Sequence, residues 1–133
     1  RGLYGLDEAL KRGEAFAKAG ADVIFIESPQ SVEEMERVGR AFDGLPLLAN
    51  MVEGGLTPVL PAAELARIGY SLAIYPGTAF LAMGAAVRKV YEHIRETGSS
   101  IGVPVPLYDF KDFSKLMGFE DVWDFEKKWA GRG

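Results

Sequence analysis

The sequence predicts an α/β fold built from consecutive strand and helix units. Three short apolar runs each end at the start of a turn: residues 23–26 run into Glu27, residues 45–49 into Asn50, and residues 70–74 into Tyr75. The ends of these runs are spaced by roughly 25 residues, which fits strand–helix units rather than hairpins. Crossovers of this length are right-handed and place the helices outside a parallel sheet.

The segments between the runs have helical periodicity. Apolar residues recur at helical spacing over residues 6–19, which predicts the first helix. Ser31 followed by Glu34 three residues later is a capping-box signature, and it marks the start of the second helix. Two further helices are expected over residues 61–69 and 78–98.

Polar side chains at the ends of the first two runs are the candidate functional residues. The first run is continuously apolar, which is typical of a parallel strand buried on both faces, and it stops at Glu27. Chemistry in α/β folds collects where such strands end. Glu27 is therefore a candidate catalytic or ligand-binding residue, or else a solvated carboxylate. Asn50 ends the second run, either to bind a ligand or to turn the chain.

Composition excludes several classes of protein. The chain has 48% hydrophobic and 26% charged residues, and no apolar run approaches the ~20 residues that a membrane span needs. The net charge is −4 with both signs interleaved, so no basic patch for nucleic acid is expected. Without cysteine there is no disulfide, thiolate metal site or cysteine nucleophile. We expect a cytoplasmic protein that binds neither membranes nor nucleic acid.

The number of strands is too small for a closed sheet. About eight strands and ~250 residues make a (β/α)8, or TIM-type, barrel, whereas this chain has three predicted strands in 133 residues and starts at Arg1 without an initiator methionine. We therefore expect the C-terminal portion of such a barrel, with its βα units over residues 1–98. Residues 99–133 are expected to form a helical extension that packs on the barrel or on a neighbouring subunit, because they are rich in aromatic residues.

Several motifs in order suggest a family. They are Gly5-Leu6-Asp7-Glu8-Ala9, Ala19-Gly20-Ala21-Asp22-Val23-Ile24-Phe25-Ile26-Glu27, Ala49-Asn50-Met51-Val52-Glu53-Gly54-Gly55 with Thr57-Pro58, and Tyr75-Pro76. With them the chain resembles the isocitrate lyase and phosphoenolpyruvate mutase superfamily from Gly5 to about Trp129. The branch that it resembles most contains methylisocitrate lyase, dimethylmalate lyase and carboxyphosphonoenolpyruvate mutase.

The resemblance implies an enzyme of carboxylic acid metabolism. Members are α/β barrels that bind Mg2+ and a small 2-oxo or 2-hydroxy acid, and most cleave or form a carbon–carbon bond through a metal-stabilised enolate. We expect the C-terminal half of a Mg2+-dependent carbon–carbon lyase acting on a small 2-hydroxy di- or tricarboxylate. Two alternatives remain open: phosphonomutase chemistry at a C–P bond of a phosphoenolpyruvate-like substrate, and a non-catalytic half-barrel that serves in oligomerisation.

The resemblance also implies residue roles. Glu27 would be the catalytic glutamate close to the water shell of the metal and to the substrate carboxylate. Asn50 would donate its amide to a substrate carboxylate, and Glu53 and Gly54 would bind substrate from the following loop. Serines follow this asparagine in isocitrate lyases, and here Val52 and Gly54 occupy that neighbourhood, which argues against isocitrate lyase itself.

The same resemblance places the direct metal ligands outside this chain. The acidic cluster, the loop with the catalytic cysteine and a substrate-binding arginine all precede the position of Gly5 in the family. We therefore expect no metal ligand in these residues and no activity from them in isolation. In the family the terminal helices are exchanged between subunits, which implies a homodimer or a homotetramer.

Overall fold

A three-stranded parallel sheet with helices between its strands organises the first part of the chain. The computed structural model describes residues 1–130, in which two units, Arg1–Gly84 and a second from Ala85 onward, are distinguished. The elements in order are α1 (Gly5–Lys18), β1 (Ile24–Phe25), α2 (Val32–Ala41), β2 (Leu47–Asn50), α3 (Ala62–Arg67), β3 (Leu72–Ile74), α4 (Thr78–Thr97), α5 (Phe110–Leu116) and α6 (Phe119–Trp129). The α/β prediction is confirmed, although the strands are shorter than the apolar runs.

The predicted domain boundary stays a prediction. We expected βα units over residues 1–98 and an extension over residues 99–133, of which residues 131–133 lie outside the described residues. Helix α4 crosses from the first unit into the second.

The three strands pair in the order β1-β2-β3, and all are parallel. Phe25 lies opposite Leu48, and Leu48 in turn lies opposite Leu72. The backbone N–H of Met51 continues this ladder beyond β2 by donating to the carbonyl of Ile74 at 2.9 Å. Parallel pairing brings the carboxyl ends of all three strands to one edge of the sheet.

In β1 and β2 one side of each strand is buried and the other is more open, whereas all three residues of β3 are exposed. Ile24, Leu47 and Met51 are buried, whereas Phe25 and Leu72 are 44% and 47% exposed. The expectation that the first strand is buried on both faces was therefore wrong for the described residues. Side chains alternate between the faces of a strand, and no layer of the described chain covers the open face.

Helix α2 begins as the capping signature predicted. The Ser31 hydroxyl oxygen accepts a hydrogen bond from the backbone N–H of Glu34 at 3.2 Å. Met35 and Val38 lie on the inner face of the helix with no exposed surface. They join the core with Leu47 of β2. Burial of side chains of this size stabilises the unit by about 1.5–3 kcal/mol each.

Two glycines allow α2 to approach the turn after α3. A Cβ atom added to Gly39 would lie 1.8 Å from the carbonyl oxygen of Ile68. Gly69 has a φ of 99°, in the left-handed region, and a Cβ there would meet the backbone of Gly39 at 3.3 Å. Backbone therefore packs directly on backbone at this point, which leaves no room for a side chain.

An ion pair ties the start of the chain to the first turn of α2. The Arg1 guanidinium donates to both carboxylate oxygens of Glu34, at 2.8 Å from Nη2 to Oε1 and 3.0 Å from Nε to Oε2. Glu34 also accepts from the backbone N–H of Gln30 at 2.8 Å. The hydrogen bond from Arg1 is the main reason that the pKa of Glu34 lies below its ordinary value. This network holds the segment between β1 and α2.

The second unit ends in two short helices that expose their aromatic residues. Asp109 caps α5 by accepting from the backbone N–H groups of Lys111 and Asp112. Phe110 is 83% exposed and Trp123 is 41% exposed, and ring pairs such as Phe119 with Trp123 lie on the surface. Across the described residues, no helix is both long enough and apolar enough to cross a bilayer.

Replacing Gly39 by alanine is expected to destabilise the fold by about 3 kcal/mol, because the new methyl group must displace the backbone at Ile68. Chemical denaturation of the purified natural protein and of the variant measures this change in the free energy of unfolding. The matched control is Gly84→Ala in α4, where a Cβ meets nothing within 4 Å; helix propensity predicts a gain of about 0.5–1 kcal/mol there. Equal stability of the two variants would contradict the close approach.

Replacing Glu34 by glutamine is expected to lower the melting temperature at neutral pH. Because the folded-state pKa is lowered, the stabilisation is present above the ordinary value of 4.5 and is lost as the pH falls through the folded-state pKa. The difference from the unmodified protein should therefore narrow in acid. Melting curves across this range measure it, with Glu14→Gln on the exposed face of α1 as the control. A difference that is constant with pH would rule out the ion pair as its cause.

Candidate functional site

The two main candidates lie at the same edge of the sheet. Phe25 of β1 is in register with Leu48 of β2, and Glu27 and Asn50 follow these two residues by two positions each. Asn50 is the last residue of β2, whereas Glu27 lies in the bend after β1. Both residues therefore lie at the carboxyl ends of adjacent parallel strands. This edge is where α/β proteins place their chemistry.

A strained turn follows Glu27. Ser28 has a φ of 56°, and it is the one non-glycine with a positive φ in the part of the chain that is described. Its hydroxyl donates to Glu27 Oε1 at 3.0 Å, while Pro29 is buried. A residue before proline normally avoids this region, and such conformations collect at functional sites. The sequence interpretation treated Ser28 only as a turn residue, although the Ser-Pro pair directly after a strand is a visible signal.

Asn50 is partly exposed, and its carbonyl oxygen points to the inside. Its Oδ1 is buried and has no hydrogen-bond partner among the described protein atoms. Its amide nitrogen is not among the buried atoms without partners. An asparagine held with its oxygen inward has its two N–H donors free for an anion such as a carboxylate.

The loop after β2 is fastened to the start of α4. The Thr78 hydroxyl donates to Glu53 Oε1 at 2.6 Å, and this hydrogen bond is the main cause that lowers the pKa of Glu53. Gly54 has a φ of 75°, and the space around its Cα is open. Glu53 thus has a partner within the protein, and Gly54 leaves room above the loop. Sequence reasoning used Thr78 only to start a helix, and no local signal links it to Glu53.

An open groove lies along the free edge of β1. It has a volume of about 640 Å³ and runs between α1 and β1, with Glu27 in its lining. Tyr4, Phe16 and Phe25 contribute exposed aromatic surface to it. Phe16 was expected on the apolar face of the first helix, and it is 61% exposed because nothing described covers the groove.

The described residues do not assemble a site for a divalent cation. Across residues 1–130, no group of three or more histidine, cysteine, aspartate or glutamate side chains is placed to hold a metal ion. Mg2+ takes oxygen ligands in near-octahedral geometry, and Glu27 with its neighbour Asn50 does not provide such a set. The part of the chain that the structure describes therefore does not assemble a metal cage by itself.

The sequence matches one family and several enzymes of that family. The model of the family described as phosphoenolpyruvate phosphomutase matches residues 2–95. The chain is 42% identical to 2,3-dimethylmalate lyase of Eubacterium barkeri over 130 residues, which are 98% of this chain and 45% of that protein. It is 36% identical to 2-methylisocitrate lyase of Aeropyrum pernix, over 96% of this chain and 40% of that protein.

The fold matches as well. A crystal structure of 2,3-dimethylmalate lyase, described as a member of the PEP mutase/isocitrate lyase superfamily, superposes with a TM-score of 0.83 at 30% identity, covering 95% of this chain and 44% of that one. The chain thus spans less than half the length of the relatives that it matches. The resemblance that the motifs around Glu27 and Asn50 indicated is confirmed, and the chain belongs to the phosphoenolpyruvate phosphomutase family within the isocitrate lyase and PEP mutase superfamily.

Proposed function

We propose that this chain is the C-terminal part of a carbon–carbon lyase that cleaves a small 2-hydroxy dicarboxylate or tricarboxylate. The observation that carries the proposal is the parallel pairing of β1 with β2, because it puts the segments that end in Glu27 and Asn50 at the same edge of the sheet. The names of the relatives supply two candidate substrates, 2,3-dimethylmalate and 2-methylisocitrate. Both relatives are lyases, which leaves the mutase alternative with less support.

The chemistry of such a substrate defines what the site must do. Loss of the hydroxyl proton lets the carbon–carbon bond beside the carbinol break, so that the carbinol carbon becomes the carbonyl of a 2-oxo acid. The bonding electrons pass to the carbon next to the second carboxylate. The fragment that contains this carbon is then an enolate, and it takes up a proton at the same carbon. Charge therefore shifts from one half of the substrate to the other, and groups that hold both halves in place lower the barrier.

Asn50 and Glu27 suit the binding part of this task. The amide of Asn50 donates to a substrate carboxylate without adding a formal charge. Glu27 accepts hydrogen bonds from substrate, and Ser28 keeps its carboxylate oriented by donating to Oε1. Glu53 and Gly54 form the rim of the site in the loop after β2, where the bond between Glu53 and Thr78 limits movement.

Mg2+ is the cation that the resemblance implies. Since the described residues do not form a cage for it, its direct ligands would come from a part of the protein outside them. The proposed roles of Glu27 and Asn50 concern the substrate alone.

The remainder of the proposed protein would complete a (β/α)8 barrel. Free edges on β1 and β3, the open sheet face and the groove beside α1 are surfaces that further strands and side chains would cover. Exposed aromatic residues on α5 and α6 support exchange of these helices between subunits of a cytoplasmic homodimer or homotetramer.

The protein that contains this sequence, purified from its natural source, is expected to release a 2-oxo acid from 2,3-dimethylmalate or 2-methylisocitrate. A hydrazone assay detects the 2-oxo acid. Glu27→Gln should lower kcat by about 100-fold, because the negative charge is lost and one acceptor oxygen is replaced by an N–H donor. Asp22→Asn is the matched control, since it removes an exposed acid just before β1, at the opposite end of that strand. Absence of cleavage with both substrates would contradict the proposal.

Replacing Asn50 by alanine is expected to raise KM by about tenfold, because a hydrogen bond to a charged carboxylate is lost. Steady-state kinetics with the accepted substrate measure the change. Ser71→Ala serves as the control, because Ser71 lies just before β3, at the amino-terminal end of that strand. An unchanged KM in Asn50→Ala would remove this residue from the site.

Residues 1–133 expressed alone are expected to show no turnover, because they lack a cation site among the described residues. The same assay with Mg2+ present tests this. Magnesium-dependent cleavage by the pure chain would show that these residues are sufficient for catalysis. If neither residues 1–133 nor the protein from its natural source cleaves the substrates, a non-catalytic oligomerisation module would be favoured instead.

A further inference from the structure

Two buried polar atoms without a partner belong to residues that line the same small cavity. In the described part of the chain, these atoms are Asn50 Oδ1 and the Tyr70 hydroxyl. Both residues line a cavity that lies under the candidate site and also touches Ser28, Pro29, Met35 and Met51. Tyr70 is 7% exposed, so its hydroxyl cannot reach bulk solvent by a small movement.

The size of the cavity fits one water molecule. Its volume is about 10 Å³, which is close to the least space that a single water requires. The fully buried Met35 and Met51 close it on the apolar side. Buried polar groups lose free energy when they have no partner. A water that bonds both Asn50 and Tyr70 would satisfy the two atoms together.

The phenol of Tyr70 is suited to donate. Burial raises the pKa of Tyr70 to about 12, so the hydroxyl keeps its proton across the physiological range. The hydroxyl can give this proton to a water, and the water can donate to Asn50 Oδ1. Turning the amide over would bring two N–H donors to the cavity. A water that already accepts from Tyr70 can accept from only one of them, so the second N–H would be buried without a partner. The bridge therefore favours the orientation in which the N–H groups of Asn50 face away from the cavity.

We propose that Tyr70 is a positioning residue for Asn50, acting through one buried water that fixes the amide with its donors toward a substrate carboxylate. This inference rests on the proposed role of Asn50 in binding substrate. It adds a residue from the opposite end of the neighbouring strand, because Tyr70 lies just before β3. It also explains why a tyrosine occupies a buried position without a hydrogen-bond partner among the described residues.

The kinetic test uses Tyr70→Phe in the naturally expressed chain with 2,3-dimethylmalate. Removal of the hydroxyl should raise KM by about fivefold and leave kcat nearly unchanged, since an amide that is free to turn binds the carboxylate less well in both ground and transition states. The control is Tyr91→Phe in α4, which is 68% exposed and should leave both constants unchanged.

A double variant separates positioning from general destabilisation. If Tyr70 acts through Asn50, adding Tyr70→Phe to Asn50→Ala should not raise KM further. Additive effects of the two substitutions would overturn the proposal. An unchanged KM in Tyr70→Phe, together with a raised KM in Asn50→Ala, would overturn it as well and leave the proposed function intact.

A crystal structure of the unmodified protein tests the bridge without any substrate. The expected result is one water within hydrogen-bonding distance of both Asn50 Oδ1 and the Tyr70 hydroxyl, which is lost or displaced in Tyr70→Phe. A dry cavity, or a direct protein partner for either atom, would overturn the inference. An unchanged KM in Asn50→Ala would instead overturn the role of Asn50 in the proposed function, and the water would still be judged from the density.

Discussion

Parallel pairing of β1 with β2 is the constraint on which the site depends. The register of Ile24 with Leu47 and of Phe25 with Leu48 places the carboxyl ends of both strands at the same edge of the sheet. A shift by one residue would exchange the sides to which the side chains of β2 point, so that Leu47 and Ala49 would leave the core. Burial of Leu47 opposes that shift, because the core would lose a fully packed side chain. The chemistry at the strand ends therefore depends on apolar packing several residues away.

The packing of α2 also holds the segment that follows β1. Helix α2 starts at a capped serine, and its inner face is anchored by Met35 and Val38. Its first turn also holds Gln30 and Arg1 through Glu34. These contacts hold the chain from Gln30 onward, two residues after Ser28, whose left-handed backbone is costly in isolation. A strained residue next to Glu27 persists because the neighbouring structure over-determines it, and this limits the positions that the Glu27 carboxylate can take.

Several surfaces of the described chain expose apolar side chains that are usually buried in a folded protein. One face of the sheet, the groove beside α1 and the aromatic sides of α5 and α6 expose large apolar side chains. Patches of this kind usually mark contacts with another chain or with further structure. The relatives are more than twice as long as this chain. The proposed function follows the same logic, since the site has groups for a carboxylate but no cation cage in the described residues.

The sequence by itself determined the fold class, the order of the elements, the capped start of α2 and the family. These are local properties: periodicity, capping chemistry and motif order depend on residues near one another in the chain. Glu27 and Asn50 could also be selected, because each ends an apolar run. Only the tertiary structure decided that one face of β1 is open, and that Thr78 meets Glu53. It alone brought Tyr70 and Asn50 to one cavity, since residues far apart in sequence meet only when strands pair and helices pack.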